Sequence, residues 1–245
     1  MALEIALVIV GALIALVALV SGIVSIWLAV KYYKFNRTQN TLNLSGVEIA
    51  RDILDKHGLS DIKVKRSGSL YFGNSYSHYF KKVRLRGFIR HENSITAIGM
   101  GAQKASLAIL DKEGDADMKK RIRLIPFITF GPFAFIPLTL IGIALDFYVF
   151  NSSSVCTLVL GGIGLLFYAY SVVLSVLTLK TEKKAQNKAY EILQKEYHIT
   201  SNELTSLKEL FRLYNIQYVN DIILSFLELI YTALEIAVAI NNAKD

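Results

Sequence analysis

Residues 94–110, SITAIGMGAQKASLAIL, decide how this chain is read. At about 3.6 residues per turn they predict a helix of roughly five turns. Asn93 or Ser94 supplies a side-chain oxygen at its start, where the first backbone N–H groups have no partner within the helix. Gln103, Lys104 and Leu107 stand at its centre at spacings i, i+1 and i+4. That spacing brings the first and third side chains onto one helix face, with the second beside them.

Outward from this helix the chain alternates between charged and strongly apolar stretches. Of its 245 residues 53% are hydrophobic and 19% charged, and the mean hydropathy is +0.41. The apolar residues gather in long blocks, as in a membrane protein with a water-facing part. Residues 3–30 are apolar after Glu4 and long enough to cross about 30 Å of hydrocarbon. A cleaved signal peptide would need a basic start and a small-x-small cleavage site. This stretch starts with Glu4 and ends in Val30-Lys31, which favours an uncleaved anchor, so residues 1–30 are expected to form the first transmembrane helix. Further blocks lie at 124–149 and 155–179, separated by Asn151-Ser152-Ser153-Ser154, and at 219–240.

Charge placement sets the expected orientation. Of 27 Lys and Arg residues none precedes the first span, 19 lie in 31–123, seven in 180–212, and Lys244 is the last. Positive charge collects on the cytoplasmic side, so the N-terminus is expected outside, with three to four transmembrane helices. The cytoplasmic parts are then an α+β domain at 31–123 and a helical extension of the third span at 180–213. The same placement explains a net charge of +7 without nucleic acid. With Cys156 as the sole cysteine, neither a disulfide within the chain nor a cysteine-based zinc site can form.

Smaller signals fill in the elements. Gly11, Ala15, Ala18, Gly22, Ser25 and Ala29 make a small-residue seam along the first span, of the kind that lets another helix approach, though small residues are also simply common in such helices. Residues 45–57 read as an amphipathic helix with Ser45 and Glu48 at capping-box spacing and Gly58 as its stop. Ile62-Lys63-Val64-Lys65 and Lys82-Val83-Arg84-Leu85-Arg86 alternate like half-buried strands, joined by a Gly/Ser/Tyr-rich connection at 67–79. Segment 111–123 reads as a charged loop back to the membrane, and Pro126, Pro132 and Pro137 are expected to kink or break the second span.

Two charged surfaces stand out. Lys82, Arg84 and Arg86 share a strand face with Arg90 nearby, either as a solvated face or as contacts for anionic lipid headgroups. No recognised nucleic-acid motif accompanies them. Asp221, Glu228 and Glu235 recur every seven residues in the last block. A carboxylate in mid-bilayer costs about 2.5–3.5 kcal/mol, so that face must meet protein or water. The block is either a span with a helix-partner seam or a helix on the membrane surface.

Together these segments resemble the membrane-bound neutral zinc metallopeptidases of the YugP type, over roughly residues 45–235. SGVEIARDILDKHGLSDIKV is similar to that family's first cytoplasmic helix and strand, and FGNSYSHYFKKVRLRG falls where it has D-H-Y-D-P and a strand. SITAIGMGAQKASLAIL falls on S-I-A-A-x-G-V-A-A-H-E-x-G-H-A-I-Q. RLIPFITFG and LTLKTEKKAQNKAYEIL resemble its second-span entry and the T-L-P-V-E-F-x-A-S segment after its third span.

The resemblance implies a zincin-like cytoplasmic domain in a bacterial plasma membrane, and it implies which positions carried the chemistry. The two zinc-binding histidines of H-E-x-x-H correspond to Gln103 and Leu107, the catalytic glutamate to Lys104, and the third metal ligand to Glu182. A leucine has no lone pair for zinc, an amide oxygen is a weak ligand, and a lysine cation repels the ion and takes no proton from water. The expectation is therefore a pseudoprotease without metal or other cofactor. It would act as a partner-binding or scaffolding subunit of a membrane complex, with a second membrane protein or another copy of itself. Lipid or small-molecule handling is the alternative, and an active enzyme with a displaced site comes third. A further expectation is a Lys104–Glu182 ion pair where the metal would sit; otherwise both side chains face solvent.

Overall fold

The computed structural model describes residues 2–67, 73–150 and 154–242. Within the predicted connections, residues 68–72 and Asn151-Ser152-Ser153 lie outside them, as do Met1 and Lys244. The elements are α1 (Ala2–Arg37), α2 (Gly46–Lys56), β1 (Lys63–Arg66), β2 (Ser75–Ser77), β3 (Lys82–Leu85), a single turn α3 (Gly87–Arg90), α4 (Ile95–Lys112), α5 (Ala116–Leu145) ending in a π-turn at Asp146–Phe150, α6 (Val155–Lys195) and α7 (Ser201–Asn242). The chain divides into two units.

One unit comprises Met1–Ile23, Arg123–Thr178 and Tyr218–Asp245. Its described residues form helices and the Asp146–Phe150 π-turn, and many large apolar side chains, such as Val8, Leu19, Phe133 and Leu166, are exposed. α1 and α6 are long and apolar enough to cross a membrane; only 6% of the most apolar stretch of α1 is buried, unlike the core helix of a water-soluble protein. The expected block at 124–149 contains a shorter apolar run, Phe133–Val149. α5 and α6 run antiparallel in close contact. A Cβ on Gly131 would lie 2.6 Å from the Cβ of Ser171, and one on Gly142 would lie 2.6 Å from the Cα of Thr157. Asp146 closes this hairpin, accepting from the backbone N–H groups of Cys156 (2.9 Å) and Thr157 (2.8 Å) at the start of α6.

The three prolines do not break α5, which is continuous from Ala116 to Leu145. Neighbouring helices in a membrane protein can hold such a segment helical despite the lost backbone bonds.

The other unit, Val24–Ile122 and Leu179–Gln217, holds the sheet and the main hydrophobic core. α2 forms as its capping box predicts: the Ser45 hydroxyl accepts from the Glu48 N–H while the Glu48 carboxylate accepts from the Ser45 N–H. It buries Ile49, Ala50, Ile53 and Leu54. α4 starts at Ser94, whose hydroxyl accepts from the Ala97 N–H at 3.1 Å, and is buried from Ile95 through Leu110. Gly101 lets α4 touch α2, since a Cβ there would sit 2.5 Å from the Gly46 carbonyl oxygen. In the sheet, β3 is central, parallel to β1 and antiparallel to β2. Val83 and Leu85 point into the core.

Two segments differ from the sequence reading. Of the charged loop expected at 111–123, only residues 113–115 are non-helical. Gly114 at φ +72° ends α4, and Asp115 caps α5 by accepting from the N–H groups of Asp117 and Met118. The expected helical extension at 180–213 is interrupted after Lys195. His198 takes a left-handed conformation (φ 52°), and Thr200 with Glu203 forms a second capping box that starts α7. Tertiary contact reinforces it, since Glu203 also accepts from the Thr41 N–H and hydroxyl.

Candidate functional site: a carboxylate enclosed by three donors

α4 carries Gln103, Lys104 and Leu107, and α6 carries Glu182 on its polar half. Spacing of one residue leaves Gln103 and Lys104 adjacent on the α4 surface, and both reach the same oxygen. Gln103 Nε2 donates to Glu182 Oε2 at 2.9 Å, and Lys104 Nζ donates to it at 2.8 Å. The ion pair expected from the sequence is thus present.

A third donor comes from α5. Arg121, in the second turn of α5, donates from Nη2 to Glu182 Oε1 at 3.0 Å. The signal available in the sequence was only its place in the basic run Lys119-Lys120-Arg121. What aims it is a ladder of pairs joining the start of α5 to α6: Glu113 with Lys188, Asp115 and Asp117 with Lys184, and Asp117 with Lys180.

The cluster is largely removed from water: the side chains of Lys104, Arg121 and Glu182 are 9%, 14% and 18% exposed. Burial by itself would raise the Glu182 carboxyl, but the adjacent Lys104 and Arg121 cations reverse this and hold it below the ordinary carboxylate range. Glu182 is therefore ionised and accepts at both oxygens.

Leu107, one turn further along the same face of α4, brings no polar atom. It packs with Leu110, Met118, Ile122 and Ala185, with Tyr76 against the same cluster. The Tyr76 hydroxyl donates to Asp111 Oδ2 at 2.6 Å, and His78 Nδ1 is also 2.6 Å from that oxygen. Tyr76 thus braces the next turn of α4.

Zinc needs several converging lone pairs from imidazole, thiolate or carboxylate. Here one position is aliphatic, one is a cation, and the remaining carboxylate is committed to three donors. The donor set does not fit zinc. No group of three or more His, Cys, Asp or Glu that could hold a metal ion is found among the described residues.

The other predicted positions separate. Lys82 and Arg84 lie on the outer sheet face, but Arg86 and Arg90 do not join them. β3 ends at Leu85, and the Arg86 N–H bonds to Asn74 Oδ1. The Arg86 guanidinium acts on Tyr214, whose hydroxyl burial pushes up to about 12 against the opposing pull of that cation. Arg90 Nε is buried. The strand alternation stops at Leu85, and Arg86 instead caps the helical turn α3. On α7, Glu228 accepts from Tyr168 of α6 at 3.1 Å, and Asp221 lines a groove with Tyr168 and Ser175. This part of the acidic seam meets a helix of the same chain, while Glu235 is exposed.

A family model described as "Putative neutral zinc metallopeptidase" matches residues 10–237. The "Putative membrane protease YugP" of Bacillus subtilis (strain 168) is 26% identical over 204 residues, covering 81% of this chain and 84% of the relative. No solved structure gives a significant match.

Proposed function

The chain belongs to this neutral zinc metallopeptidase family, and from that premise we propose that it is a member in which an internal ion cluster has taken the place of the metal. It serves as a non-hydrolytic, partner-binding subunit of a bacterial inner-membrane complex. The observation that carries the reading is the state of Glu182, both of whose oxygens accept from Gln103, Lys104 or Arg121. A catalytic carboxylate ligand must keep a lone pair for the metal, and the general base beside it must be able to accept a proton. The engagement of both Glu182 oxygens and the Lys104 cation beside them support a reading without metal chemistry, on a framework of α4, α6 and the sheet that is built in full.

The proposed arrangement places spans at residues 1–30, 124–149 and 155–179, with 219–240 as a fourth span or a surface helix, and the sheet-bearing unit in the cytoplasm. The excess of Lys and Arg in 31–123 and 180–212 supports that orientation. The small-residue seam of α1 supports the reading of a helix partner in part: Gly11 faces Tyr231 of α7, while Gly22 has open space around it. Extraction of the tagged chain in mild detergent tests the proposal. A stoichiometric membrane partner or a homo-oligomer is expected; a monodisperse monomer that also hydrolyses casein would reject it.

A further inference from the structure

The register of the sheet brings together four cations that the sequence separates. Lys63 pairs with Lys82 and Lys65 with Arg84 across the parallel β1–β3 ladder, so all four side chains share one face. Val64, Val83 and Tyr76 share the other face, which is the core side. Neighbouring strands lie about 4.8 Å apart and alternate residues of one strand about 7 Å apart. The cations thus form a compact two-by-two grid. Like charges directly opposite one another weaken a sheet, and among the described residues no salt bridge offsets these four. By contrast, Lys81 in the preceding turn is paired with Asp61.

One large aromatic side chain stands beside the grid, Phe80 at 64% exposure. Lys82 Nζ lies 5.4 Å from the centre of the Phe80 ring, and the Arg84 guanidinium lies 6.0 Å from it. An exposed ring held against two cations makes a surface that is both apolar and positive. Water serves only the second property, whereas the headgroup layer of an anionic bilayer serves both.

We propose that the outer face of the β1–β3–β2 sheet docks on an anionic phospholipid surface through Lys63, Lys65, Lys82 and Arg84, with Phe80 entering the headgroup layer. Two considerations favour lipid over nucleic acid. α1 and α6 are of membrane-crossing length, so the sheet works beside a bilayer at high effective concentration. A single-stranded nucleic acid would also be read by stacking, but it needs a groove that tracks the backbone, and this face is a short open sheet. The inference stands on the sheet alone and is independent of the reading of the Glu182 cluster.

The test uses the full chain in lipid nanodiscs, with an environment-sensitive fluorophore on a Ser77→Cys variant in a Cys156→Ser background. Ser77 pairs with Lys82 and so lies on the same face. Quenching by brominated lipids is compared between phosphatidylcholine discs and discs containing about one third phosphatidylglycerol. The expected result is at least about twofold stronger quenching in the anionic discs. It should disappear near 1 M salt, where the Debye length falls to about 3 Å, and in a Lys65→Glu/Arg84→Glu variant. Equal quenching in both discs would overturn the proposal, as would quenching that survives the charge reversal. A response to added single-stranded RNA with none to lipid charge would overturn it too. The salt titration needs no charge-reversal variant, so a folding defect in that variant would not rescue the idea.

Discussion

Lys104 Nζ lies 2.8 Å from Glu182 Oε2, between two helices whose contacting residues are 78 positions apart in the chain. The lysine side chain is 9% exposed and the carboxylate 18%. Two helices far apart in the chain are thus joined by a largely buried ion pair.

Removing one member of this cluster leaves a buried charge without its partner, which costs up to about 3–5 kcal/mol. Lys104→Met is expected to fall below that range, because Arg121 and Gln103 still hold Glu182. Lys104→Met/Glu182→Leu should recover part of the loss. Thermal unfolding in detergent of the parent, Lys104→Met, Glu182→Leu and the double variant gives the coupling energy; additive effects would mean that the pair contributes nothing.

The cluster also fixes a pH dependence. The Glu182 carboxyl lies below its ordinary value of 4.5 in the folded chain, so the native state releases its proton more readily than the unfolded state. Its stabilisation is full above that ordinary value and is lost as pH falls through the depressed folded value. The stability gap between the parent and Glu182→Gln should therefore be constant from pH 8 to about 5 and shrink in more acidic buffer. A gap that widened on acidification would contradict the assignment.

Packing above the cluster offers a separate check. A Cβ added to Gly99 would lie 2.2 Å from Leu207 Cδ2 of α7. Gly99→Ala is expected to destabilise the chain by about 1–3 kcal/mol through overpacking, and Leu207→Ala in the same chain should relieve the clash. Unfolding curves read both; no loss in the single variant would mean that α7 does not press on α4.

Restoring the chemistry is the constructive test. Gln103→His/Lys104→Glu/Leu107→His rebuilds the i, i+1, i+4 pattern and frees Glu182 from two of its donors. Isothermal titration should then detect zinc binding that the parent lacks. Binding is expected to be weakened by Arg121, which still holds Glu182 Oε1, and strengthened by Arg121→Ala.

The local elements were legible because their signals are local. Ser45 with Glu48 and Ser94 before the buried run of α4 mark helix starts that the structure reproduces. Gly114 with Asp115, and Thr200 with Glu203, carry the same signals, yet charge-rich composition hid the first, and an uninterrupted helical period hid the second. At the candidate site, Gln103, Lys104 and Leu107 could be placed from spacing, and Glu182 through the resemblance. Arg121 could not, because its contact depends on how the start of α5 aligns with α6, which a ladder of long-range ion pairs sets. The basic face shows the same limit. Alternation placed Lys82 and Arg84 together, but Lys63 and Lys65 join them only through the parallel register of β1 with β3.

The most direct measurement is the zinc content of the purified parent chain after incubation with excess zinc and removal of free metal. A chain whose Glu182 is occupied by Gln103, Lys104 and Arg121 should retain far less than about one ion per molecule. About one ion per chain, released by chelator and lost in Glu182→Gln, would contradict the account at its centre.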